Sequence, residues 1–96
     1  MIKITYRIKK GVASVRIKGH AFFALPGKDI VCAGVSTLFY TLMESTGRRM
    51  LKRTKKKVLY VPYVTSAEKA RFDMAIDGFR LLAQNYPRYV RVKSLQ

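Results

Sequence analysis

A chain of 96 residues that carries the predominantly apolar run from Ile30 to Met43 has to bury it, and a core this small offers one place for it. Val31, Val35, Leu38, Phe39, Leu42 and Met43 recur at helical spacing and give the run a broad apolar surface. The stretch therefore predicts a central helix. Asp29 supplies its start, because a carboxylate accepts hydrogen bonds from the first free backbone N–H groups. Gly47, just past Thr46, supplies its stop as a left-handed C-cap. The rest of the chain must build the surface on which this helix packs.

Residues Ile2 to Lys9 alternate Ile2, Ile4, Tyr6 and Ile8 against Lys3, Thr5, Arg7 and Lys9, the period of a half-buried strand. Lys10-Gly11 reads as a turn. Val12 to Lys18 repeats the pattern, with Val15 and Ile17 on one side and Arg16 and Lys18 on the other, so the two make a hairpin. Val58 to Val64 is β-branched and aromatic and predicts a strand. Pro62 within it cannot donate to a ladder, which argues for an edge position or a bulge. A short edge strand is expected near Met50-Leu51. Thr65 with Glu68 fits a capping box. Phe72, Ala75, Ile76, Phe79, Leu82, Ala83 and Tyr86 then form the core stripe of a second helix that stops before Pro87. Tyr89 to Lys93 is a last strand with Val90 and Val92 facing in. The expected fold is an α+β layered domain, an antiparallel-rich β-sheet packed with two α-helices in the order ββαββαβ, with residues 1–96 as one domain.

Composition narrows the function. Twenty Lys and Arg against five Asp and Glu give a formal charge of +15, which predicts an anionic partner or an anionic surrounding. Seven basic residues fall in the ten from Arg48 to Lys57. Such a block is usually a solvated surface, yet its self-repulsion also suits contact with RNA, the ribosome or an acidic substrate. No stretch is long and apolar enough to span a bilayer, so no membrane partner is expected. The N-terminus alternates and does not read as a signal peptide. One cysteine cannot form an internal disulfide, which suits a reducing cytoplasm. One cysteine and one histidine do not make a zinc site, and no cofactor is expected.

Those two residues, His20 and Cys32, are separated by eleven residues with Pro26 and Gly27 among them. If Asp29 is the cap, Cys32 lies in the first helical turn, where free N–H groups and the helix dipole favour negative charge. A thiol there ionises more readily, and the thiolate is the nucleophile. An imidazole folded back by the intervening loop would accept the thiol proton. The first-turn N–H groups are candidate oxyanion donors. Ser36 lies one turn beyond Cys32 on the same face. The plainer reading makes Cys32 a small buried hydrophobe, His20 an unremarkable strand-end residue, and Ser36 a hydroxyl bonded to its own backbone. The loop residues Phe22, Phe23 and Leu25 either fold over the core edge or form a lid on the site.

Gly19-His20-Ala21, followed by Gly27, Asp29-Ile30-Val31-Cys32-Ala33, Val35 and Ser36, resembles the signature of the ribosomal-processing cysteine proteases, the Prp family. That resemblance implies a small bacterial or phage endopeptidase. Such an enzyme removes a short N-terminal extension from a ribosomal protein or a related phage structural precursor, and it forms a homodimer. It carries His20 over as base and Cys32 as nucleophile, with Asp29 and Ser36 as supporting positions. Ala21, Phe22, Phe23, Pro26 and Gly27 become the substrate loop. Substrates of the family resemble Phe-Phe-Ala before the cut, and Phe22-Phe23-Ala24 copies that segment, which raises self-occupation or self-cutting of the loop. The alternative is a basic ribosome- or RNA-binding protein whose Cys–His pair is inactive.

Overall fold

The computed structural model describes residues 1–25, 27–47, 50–53, 56–61 and 64–95, with backbone alone at 50–53 and 56. Strand β1 (Ile2–Lys9) turns through Lys10 and Gly11, both at positive φ, into β2 (Val12–Lys18). This is the twist that a two-residue hairpin requires. Helix α1 (Ile30–Thr46) follows, then β3 (Met50–Arg53), β4 (Lys56–Val61), α2 (Ser66–Asn85) and β5 (Val90–Ser94). The ββαββαβ order read from the sequence is the observed one.

The strands form one five-stranded sheet in the order β3-β4-β2-β1-β5. Every pairing is antiparallel except β1 with β5, which run parallel with Ile2 opposite Val90. The short strand at Met50 is an edge, as anticipated. Of the edge position or bulge expected at Pro62, the edge is corrected: β4 lies between β3 and β2. The physical reason is that β4 (Lys56–Val61) pairs with β2 on one side and with β3 on the other. Pro62 itself lies outside the described residues.

One sheet face carries Ile4, Val15, Leu59, Val61 and Val90, all buried, and the helices close over it with Val31, Val35, Phe39, Leu42, Phe72, Ile76 and Phe79. Full burial of each large side chain contributes about 1.5–3 kcal/mol. The helices approach closely through reciprocal notches. A Cβ on Gly78 would lie 2.8 Å from Leu38 Cδ1, and one on Gly34 would lie 3.3 Å from Leu82 Cδ1. Both helices have the caps the sequence predicted. Gly47 has φ 65° and donates its N–H to Glu44 and Met43 carbonyls, while Thr65 and Glu68 form a reciprocal capping box. Among the described residues no helix is long and apolar enough to cross a membrane.

Candidate active site

The site forms where β2 ends and α1 begins. Gly19 makes the exit from the sheet. Its φ of 92° and its closeness to the N-terminal strand (a Cβ would fall 2.4 Å from the Met1 carbonyl oxygen) restrict the position to glycine. His20 comes next and is exposed. Ala21 then drops into the core, 3% exposed, and its N–H donates to Cys32 Sγ at 3.4 Å.

Asp29 organises what lies between. Its Oδ1 accepts the N–H groups of Val31 at 3.0 Å and Cys32 at 2.9 Å, capping α1, and its main-chain oxygen accepts the Ala33 N–H at 3.0 Å. Its Oδ2 reaches the other way and accepts the Phe23 N–H at 3.1 Å. The carboxyl is held below its usual value of 3.8, first by the Cys32 N–H. Partial desolvation opposes this, and the Cys32 thiol and the N–H groups of Phe23 and Ala24 add to it. One carboxylate thus ties the loop after the histidine to the helix that carries the cysteine. Of the first-turn N–H groups expected to serve an oxyanion, those of Val31 and Cys32 are held here by the Asp29 carboxylate and that of Ala33 by the Asp29 main-chain oxygen.

The loop is clasped from outside as well. The Phe23 ring meets Tyr86 and Tyr89 edge-on, at centroid distances of 5.5 and 5.2 Å. Phe22 is strained at φ 55° and 77% exposed, with its ring 5.7 Å from the His20 imidazole. Between loop and helix lies a cavity of about 860 Å³. His20, Asp29, Cys32 and Ser36 supply its polar groups, and Phe22, Ala24, Leu25, Gly27 and Ala33 the remainder of its wall. Cys32 itself is half-buried. An imidazole and a thiol opening into one mostly apolar pocket are the parts of nucleophilic acyl chemistry.

The family model for cysteine protease Prp matches residues 1–91. The chain belongs to the Prp family. Its fold is similar to that of the essential ribosomal processing protease Prp from S. aureus with a covalently linked product peptide. That match has a TM-score of 0.86 at 17% identity and covers 98% of this chain and 99% of that one. The same S. aureus protease with a substrate peptide gives a TM-score of 0.72 at 16% identity, covering 98% and 99%. The protein SMU.848 from Streptococcus mutans is 30% identical, with a TM-score of 0.78 over 98% of this chain and 93% of that chain. No curated protein matches the sequence.

Membership of the Prp family makes the chain a cysteine protease. The four predicted polar residues, His20, Cys32, Asp29 and Ser36, are brought together around one cavity. Of the predicted loop residues, Phe22 and Gly27 line it, Ala21 is buried behind it, and the Phe23 ring faces the two tyrosines. Pro26 lies outside the described residues. The back-bonded hydroxyl considered for Ser36 is found at its neighbour, where Thr37 Oγ1 donates to the Ala33 carbonyl at 2.8 Å. Sequence reasoning missed Tyr86 and Tyr89 as the anchor of the loop. Their signal was faint: two aromatics flanking Pro87-Arg88, in a segment that reads as a helix end and a strand start.

Proposed function

We propose that this Prp-family chain is an endopeptidase acting as one domain, with Cys32 as nucleophile and His20 as base. The observation that carries this reading is the single cavity into which both side chains open, at the capped start of α1. The thiol proton passes to an imidazole nitrogen, and the sulfur attacks the scissile carbonyl carbon, forming a C–S bond. The imidazolium returns the proton to the departing amine as the C–N bond breaks. Water, deprotonated by the same imidazole, then cleaves the thioester and releases the acid with the thiol restored. The exposed imidazole, packed on Phe22, swings toward the sulfur as a peptide enters.

The Ala21 N–H donates to the reacting sulfur at 3.4 Å. In this reading it turns to the developing oxyanion once Sγ bonds to carbon. Asp29 positions the loop, the cap and the thiol, and Ser36 contacts the substrate one turn along the helix. The mostly apolar wall suits an apolar side chain beside the cut. The S. aureus complexes with product and substrate peptides support a peptide as occupant.

The substrate is the N-terminal extension of a ribosomal protein or of a related phage structural precursor, and the enzyme acts in the cytoplasm as a homodimer. Exposed Ile30, Met74 and Leu81 are compatible with pairing. The Arg48–Lys57 block recruits the enzyme to RNA or the ribosome. Of that block, residues 48, 49, 54 and 55 lie outside the described residues. The test is incubation of wild type and Cys32→Ala with peptides copying candidate precursor N-termini, read by mass. Cleavage by wild type alone is expected. Cleavage by both, or no labelling of Cys32 by iodoacetamide at neutral pH, overturns the assignment.

A further inference from the structure

The helices cover one face of the sheet, and the other face is open. It is cationic in an ordered way. Lys3 of β1 stands opposite Lys18 of β2 on one side and Arg91 of β5 on the other, so one row of three strands is wholly basic. Two residues along, Thr5 stands between Arg16 and Lys93. Arg7 and Lys9 continue β1 outward, and all of these cations are exposed. None of the chain's five Asp and Glu residues belongs to a strand. Like charges placed directly opposite one another destabilise a sheet, and among the described residues no strand carboxylate offsets them.

We propose that this open face docks duplex RNA through its phosphates. Cations repeat about 4.8 Å apart across strands and about 6.6 Å apart along them, a lattice on the scale of successive phosphates. The hydroxyls of Thr5 and Ser14 lie among the cations and suit phosphate or 2′-OH groups. A single strand is a poorer fit, because stacking needs aromatic platforms. The aromatic that the register places on this face, Tyr60, is 39% exposed and takes a hydrogen bond from Arg16 Nη2 at its hydroxyl. A protein partner is a poorer fit too: among the described residues the apolar side chains on this face are Val12, Val58 and Tyr60, with Val58 buried, against seven exposed cations. DNA is read by helices or ribbons that enter its major groove, whereas a broad sheet face suits the wide, shallow minor groove of A-form RNA. The surface is separate from the Cys32 cavity, and the inference does not depend on the peptidase reading.

The test is fluorescence anisotropy of the full chain with an RNA duplex of mixed sequence, about 16 base pairs long, across a salt series. Wild type is expected to bind with a steep loss of affinity as salt rises. Lys3→Gln/Lys18→Gln/Arg91→Gln should lower the slope of log affinity against log salt by about 3, and Arg16→Gln/Lys93→Gln by about 2. Lys28→Gln/Lys69→Gln/Arg71→Gln removes the same charge elsewhere and should leave the slope near that of wild type. Cys32→Ala should bind as wild type does. The row variant should melt no lower than wild type at low salt, since repulsion is relieved. Equal losses in the row variant and the helix-and-loop control overturn the proposal by reducing it to net charge. So does absence of duplex binding at low salt. So does a row variant that loses affinity only for anionic vesicles, polyglutamate or DNA.

Discussion

The backbone N–H of Ala21 donates to the sulfur of Cys32 at 3.4 Å, so the residue that follows the histidine is the one that touches the thiol. The contact fixes the height of the loop over the helix start. It requires Ala21 to be small and buried, because a larger side chain would have to enter the core beneath the site.

Replacing Cys32 separates chemistry from structure. Cys32→Ser and Cys32→Ala should fold with stability within about 1 kcal/mol of wild type. Peptide cleavage should fall by roughly a thousandfold or more. Thermal melting and a mass-read cleavage assay check both halves.

Gly19→Ala should be far more damaging than its size suggests. It places a methyl group against the Met1 carbonyl oxygen at a backbone angle that L-residues rarely adopt. We expect a loss of about 1–3 kcal/mol in denaturant unfolding. Cleavage should be depressed as well, because His20 is displaced with the turn.

Asp29 gives the clearest pH signature. The fold holds its carboxyl below 3.8, so the fold favours the ionised form. The stability it contributes is complete above the unfolded value and is lost as pH falls through the lower folded value. Denaturant titrations between about pH 5 and pH 2 should show an acid limb that is shallower in Asp29→Asn. Asn still caps well, so its melting temperature at neutral pH should drop less than that of Asp29→Ala. In Asp29→Ala the amides of Phe23, Val31 and Cys32 should exchange faster, while those of β1 should not.

Phe23→Ala removes both edge-on contacts to Tyr86 and Tyr89. Such pairs contribute about 0.5–1.5 kcal/mol beyond burial. We expect a modest loss of stability and a larger rise in KM for peptide, with kcat less affected, because the loop rather than the thiol is loosened. A Tyr86→Leu/Tyr89→Leu variant should reproduce the effect.

The sequence read well wherever periodicity and capping acted locally. Alternation in Ile2–Lys18 and the helical stripe at Phe72–Tyr86 each reflect one element meeting one core. Asp29, Gly47 and Thr65–Glu68 state their caps in their own chemistry. What stayed hidden was long-range. Pro62 suggested an edge or a bulge, but a strand's place in a sheet is set by its neighbours, and β4 has β3 on one side and β2 on the other. The first-turn N–H groups were expected both to bond the Asp29 cap and to serve an oxyanion. Asp29 takes two with one oxygen and spends its other oxygen on the loop. The Phe23 clasp joins residues with no shared pattern, so no window of sequence contains it.

That clasp has a consequence for the order of events during synthesis. The loop beside Cys32 emerges before the tyrosines that hold it, which come from the end of α2 and the approach to β5. On a translating ribosome the thiol would therefore sit beside an untethered loop until α2 and the approach to β5 had followed.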